Sequence, residues 1–491
     1  MAFSAQAHSF EERYELPVPL DYVVAGACAT VFLSFLVAVL FVRQSKSVFL
    51  PSCPHANISF ETPTSSLNPP FINRFLNSFL NGFVYLLRCF SFLIFVLTIV
   101  SALWGSGDPL MNLAPTLIWI VWWIGLSFLV MLFGDFWPAI DPWRHMFDVL
   151  DVCARKLGAS QGISLGKSWP ARLGVWPAVF FLLLWCWLEV VYPIATSPLR
   201  LGYAALAWCV VNLTGMICFG QKTWQRHADV FALYFSMLGR MSPLQFNARW
   251  PSVWVKPKGT ALIDAKSVWT VSHAGFVMAM LSTVLFDGLH GGTAWVVLEQ
   301  GLKKISPHLM DVNGYFAGTV GLAAVWLVFL MAYLFTCRIT ASLVPPLTSR
   351  ASGLEIAARL APTLIPIAGA YNIAHNFSNL LIQGQTFFQL MSDPLGLQWD
   401  LFGTARLYPD ISIVDAKLTW CVAVAAIVVG HVVAVWLSHR ATLHLRLSAS
   451  RTAVVTIPLT ALMLVYTAIS LSVIAEPMVS YAPELTPASV R

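Results

Sequence analysis

Ten stretches of the chain are apolar for about the 20 residues that cross a bilayer as a helix. They run approximately over 22–43, 82–104, 114–134, 172–193, 200–220, 268–288, 315–337, 355–383, 417–437 and 452–475. A backbone in lipid must satisfy its own hydrogen bonds, so each stretch reads as a helix. The pattern predicts an all-α, polytopic transmembrane bundle, with a single membrane domain over 22–475. A polar segment, 1–21, precedes it, and a tail, 476–491, follows. Two connecting stretches carry patterns of their own. Residues 228–243 are amphipathic and too short to span, which predicts an interfacial helix. Residues 384–416 form a long loop rich in aromatic and acidic side chains, and ordered loops of that length are often lids or binding loops.

Composition sharpens this reading. The chain is 58% hydrophobic and 11% charged, against about 25% charged in soluble proteins. The partner this implies is the lipid bilayer. No run of Lys and Arg interleaved with aromatics occurs, so nucleic acid is not an expected partner. The 9 cysteines stand singly, without a CxxC or CxxCH pattern, which argues against a zinc knuckle or a c-type haem. Cations concentrate in alternate loops, among them Arg43, Lys46, Arg144, Arg155, Lys222, Arg226, Arg240, Lys256, Arg338, Arg440 and Arg446. The opposite loops hold Arg13, Arg200, Lys303, Lys304, Arg406, Lys417 and Arg491. The first set is expected to be cytoplasmic, with both termini extracytoplasmic. Ten spans agree with that, because an even number returns the chain to its starting side.

Candidate chemistry centres on the eighth stretch, ARLAPTLIPIAGAYNIAHNFSNLLIQGQ, residues 358–385. Tyr371, Asn372, Ser378 and Asn379 stand three or four positions from His375 and share its helical face. Gln383 follows near the helix end. Pro362 and Pro366 are expected to kink the first half. An ionisable group inside hydrocarbon points to function. The plainer alternative for the stripe is interhelical hydrogen bonding. Glu189, in WCWLEVVYP, and Asp287 and His290, in LFDGLHGG, fall in the same outer half. At about 1.5 Å per residue, His375 lies roughly 12 Å below the outer end of its span. Carboxylates and imidazoles so placed suit a divalent metal with an activated water, or a proton-accepting cavity. His375, Glu189 and Asp287 are the catalytic candidates; His290, His375 and Asp287 are the metal candidates. Ala5-Gln6-Ala7 resembles a small-residue cleavage site, although no apolar region precedes it. Cleavage there would make His8 an N-terminal chelator for copper. On the other side, GDFWPAIDPWRHMFD reads as a structural corner, with Trp137 and Trp143 as interfacial anchors. His273 and His431 lie toward the inner half.

Several segments together resemble a known family. They include AHSFEERYELPVPL, FGDFWPAIDPWR, RLGVWPAVFFLLLWCWLEVVYP, LSTVLFDGL, LIPIAGAYNIAHNFSNLLIQGQ and SDPLGLQWDLFGTA. The chain is similar to bacterial polytopic membrane proteins commonly labelled fenitrothion hydrolases, from about residue 7 to 404. The resemblance implies a multi-pass protein of the bacterial inner membrane that hydrolyses organophosphate triesters. Such substrates are apolar and partition into membranes. A metal-bound hydroxide would be the nucleophile, and Tyr371, Asn372, Asn379, Gln383, Phe387, Phe388 and Trp399 would bind the substrate. A second related polytopic subunit is a further partner that this reading admits. The rival class is a transporter, or a copper- or proton-handling membrane subunit beside a redox enzyme.

Overall fold

The computed structural model describes residues 14–41, 57–58, 70–192, 197–246, 253–255, 260–264, 268–305, 307, 314–345, 352–443, 445 and 447–480. The principal helices, in chain order, are α1 Leu20–Phe41, α2 Pro70–Trp104, α3 Leu113–Phe133, α4 Pro142–Lys156, α5 Trp176–Val191, α6 Pro198–Phe219 and α7 Val230–Gly239. After them come α8 Val271–His290, α9 Tyr315–Leu343, α10 Gly353–Leu360, α11 Ile365–Gln383, α12 Ala416–Leu443 and α13 Ala449–Met478. Among the described residues, eight helices are long and apolar enough to cross a membrane: α1, the Gly82–Trp104 part of α2, α3, α6, α8, α9, α12 and α13. The protein is an all-α, multi-pass membrane bundle.

The fourth and eighth apolar stretches are built differently from the rest. The fourth, α5, is shorter and turns from α to π geometry over Trp187–Val191. The eighth is broken: α10 ends in a 3-10 turn, Ala361–Leu364, before α11 resumes. Pro362 and Pro366 each sit in the first turn of the segment that follows, where a missing N–H costs least. A capping box starts α10, with Ser352 Oγ accepting from Glu355 N at 3.2 Å and Glu355 Oε2 accepting from Ser352 N at 3.0 Å. α3 also carries a π segment, Thr116–Gly125.

α8 is the axis of the bundle. Ala274 to Thr283 are buried without a break, so every face of the helix is covered, as its uniform apolarity requires. His273 completes a capping box with Thr270 at its start, a structural use of that histidine. α11 and α12 cross closely: a Cβ on Gly430 would lie 2.4 Å from Ala370 Cβ, an approach that small residues allow. One end of the bundle carries few cations. There the Ser101 hydroxyl donates to Pro394 O at 2.6 Å and Thr293 N donates to Glu476 Oε1 at 2.6 Å. Tyr14–Glu15 pairs in parallel with Val479–Ser480, which joins the two terminal segments.

Two expectations change. The amphipathic helix expected over 228–243 forms over 230–239 without an exposed face. Val230, Phe231, Leu233, Tyr234, Phe235, Met237 and Leu238 are all buried, because the segment is apolar around its circumference and enters the bundle. Trp137 and Trp143 are not interfacial anchors either. They are 2% and 4% exposed and join an aromatic cluster with Trp122 and Phe231. The structural reading of that corner holds through Asp141, whose carboxylate accepts from Trp143 N and Arg144 N and caps α4.

Candidate acid–base site

His375 and Asp287 meet. His375 Nε2 and Asp287 Oδ2 are 2.7 Å apart, joining α11 to α8 across 88 positions of sequence. The His375 side chain is 6% exposed and that of Asp287 30%, so the carboxylate is the more accessible member of the pair. The two residues line a cavity of about 30 Å³ with Glu189 and Cys186 from α5, Trp123 from α3, Tyr234 from α7, Thr283 from α8, and Asn372 and Asn376 from α11. That volume is enough for one or two water molecules.

Each wall has a local reason. Trp123 and Glu189 both come from π segments, which re-aim side chains within a helix and recur at functional sites. The Trp123 and Glu189 side chains line the same cavity. Asn372 Nδ2 donates to Tyr234 Oη at 3.0 Å, and Asn376 Nδ2 donates to Asn372 Oδ1 at 3.0 Å. Asn376, Asn372 and Tyr234 therefore form one hydrogen-bonded chain, and His375 and Asp287 a separate pair. Tyr371 packs its ring over His375, with centroids 6.4 Å apart and planes at 21°. Its hydroxyl has no hydrogen-bond partner among the described residues.

The sequence candidates divide. His375, Glu189, Asp287 and Asn372 share the cavity, and Tyr371 flanks it. Asn379 and Gln383 are half-buried on α11 and do not line the cavity. Phe387 packs against Leu113, Leu117 and Leu390, while Phe388 and Trp399 are 60% and 43% exposed. The loop aromatics thus form no wall of this cavity. His290 is not in the lining; its ring sits 5.5 Å from that of Phe286 and 5.3 Å from that of Trp295. His8 lies outside the described residues. Among the described residues no three His, Cys, Asp or Glu side chains gather as a ligand set for a metal. Sequence reasoning missed Trp123, Cys186, Tyr234, Thr283 and Asn376. Asn376 was within reach, since it stands one helical turn from Asn372.

Comparison of the chain with protein families, curated proteins and solved structures gives no match. What the fold and the geometry define is a class: a multi-pass helical membrane protein with an acid–base pair embedded in its bundle.

Proposed function

We propose that this chain is an inner-membrane hydrolase of bacterial origin that cleaves neutral organophosphate triesters. The proposed topology has ten spans, with α5 and the α10–α11 unit added to the eight long helices. Both termini then lie outside the cytoplasm, and the pairing of Tyr14–Glu15 with Val479–Ser480 supports a common side for them. The observation that carries the reading is the 2.7 Å His375–Asp287 pair inside a polar cavity. A carboxylate bonded to one ring nitrogen fixes the tautomer and orientation of an imidazole that takes a proton at the other. In the proposed reaction His375 accepts a proton from water as its oxygen bonds to phosphorus. The phosphorus–aryloxide bond breaks, and the aryloxide leaves to be protonated as a phenol. Glu189, which lines the cavity beside Trp123, is the second proton-exchanging group. No step runs through a metal.

The water-sized volume favours a second reading, proton handling within the membrane, which needs no room for an ester. Diethyl 4-nitrophenyl phosphate offered to the purified protein in nanodiscs separates the two. Hydrolysis predicts nitrophenol release that falls at least 100-fold in His375→Ala, the lower end of what a general base contributes, about 100- to 10,000-fold. Release absent in the parent, or unchanged in the variant, overturns the hydrolase.

A further inference from the structure

A second cavity lies on the far side of the same helices. It has a volume of about 310 Å³, within the usual range for small-molecule pockets, about 300–1,000 Å³. Eight of its 24 lining residues are aromatic, against 13% of the whole chain. None of the lining residues is charged. Its two hydroxyls are already committed: Ser91 Oγ donates to Ile140 O at 2.5 Å and Thr98 Oγ1 to Ile94 O at 2.7 Å. The Trp143 indole N–H donates to Cys209 Sγ at 3.1 Å. Such walls offer ring faces and edges but neither a charge nor a spare hydroxyl donor. The chamber also reaches the bundle surface, where lining residues Leu184 and Val211 are 39% and 36% exposed.

Its position relative to the acid–base site is close. Trp122, Trp185, Leu188 and Phe231 line the chamber, while their neighbours Trp123, Cys186, Glu189 and Tyr234 line the polar cavity. α3, α5 and α7 are therefore a partition one helix thick, and across it the Trp123 and Trp185 rings have centroids 5.5 Å apart.

We propose that this chamber binds a neutral aromatic molecule entering sideways from the lipid. Aromatic rings recognise another ring by edge-to-face and offset contacts that an alkyl chain cannot reproduce. The inference deepens the hydrolase reading and rests on it for the identity of the ligand as an aryl ester; its test separates the two. The probes are diethyl phenyl phosphate and diethyl hexyl phosphate, titrated calorimetrically into the full-length protein in nanodiscs, with empty nanodiscs as the partition blank. The expected result is saturable binding of the phenyl ester at one per chain, at least tenfold tighter than the hexyl ester. Ala204→Trp, which fills the chamber, should abolish it. Trp208→Leu, which removes one ring and keeps an apolar side chain, should cut the preference for phenyl several-fold in a protein that elutes as the parent does. Equal affinity for both esters, or binding unchanged in Ala204→Trp, overturns the inference and leaves an acyl-chain crevice. Saturable, ring-selective binding without turnover upholds the chamber and removes the hydrolase. Turnover that Ala204→Trp does not slow does the reverse.

Discussion

Asp287 does two things for His375: it bonds a ring nitrogen and it supplies a negative charge. Asp287→Asn keeps the size and removes the charge. Under the hydrolase reading it should lower nitrophenol release by about 100-fold or more, since a mis-set tautomer disables an otherwise intact dyad. Folding should change little, which thermal unfolding in detergent will check. Trp123 has the opposite profile. Its ring is buried against those of Trp185 and Tyr234, with centroids 5.5 and 4.6 Å away, so Trp123→Ala should cost about 3–5 kcal/mol of stability. A melting temperature equal to the parent's would show that the bundle does not depend on this packing. The ionisable members of the site were legible because Glu189, Asp287 and His375 interrupt apolar sequence, where such groups are costly. Trp123 and Tyr234 were not. Among 20 tryptophans and 12 tyrosines, neither stands out until the fold brings it to the polar cavity.

At the scale of elements, two glycines set how closely the site's helices approach. A Cβ on Gly239, at the end of α7, would lie 2.6 Å from the backbone nitrogen of Asp135. Gly239→Ala should push α7 and its Tyr234 out of place and cost about 1–3 kcal/mol, as overpacking does. Gly430→Leu should do the same where α12 meets α11, and should also perturb His375. Unchanged unfolding of both variants would refute these close approaches. Asp135, under the end of α7, gives a pH signature. Burial pushes its carboxyl up to about 6, against the hydrogen bonds of Ser236 and Trp137 N and the charge of Arg240. A raised folded-state value means that its contribution is complete below about 4, the unfolded value, and is lost as pH rises through 6. Asp135→Asn should flatten that part of the stability profile; a slope like the parent's would mean that another group titrates. None of this was legible in the chain. π geometry in α3 and α5 has no sequence period of its own, and 228–243 reads as amphipathic and interfacial because its burial depends on neighbours distant in sequence.

For the whole molecule, hydropathy carried the fold class, and sidedness turns on the two irregular units. α5 contains a π turn and the α10–α11 unit a 3-10 break, yet both bring groups to the polar cavity. Their crossing decides the sidedness of everything between them. If α5 spans, Lys222 is cytoplasmic and Lys304 is outside. If neither unit spans, the eight remaining helices still return the terminus to its starting side, but Lys222 and Lys304 exchange sides. Arg406 lies outside in both cases, so it serves as the control. All three side chains are exposed. Lys222→Cys, Lys304→Cys and Arg406→Cys, labelled in intact cells with a membrane-impermeant maleimide, should react at 304 and 406, with 222 no higher than the unsubstituted chain. The physical ground is the charge distribution: with ten spans Lys222, Arg226 and Arg240 join the cation-rich cytoplasmic loops, and with eight they would face outward against the usual bias. Labelling at 222 and protection at 304 would place Asp287 and His375 in the cytoplasmic half and remove the route by which an outer-leaflet ester meets them.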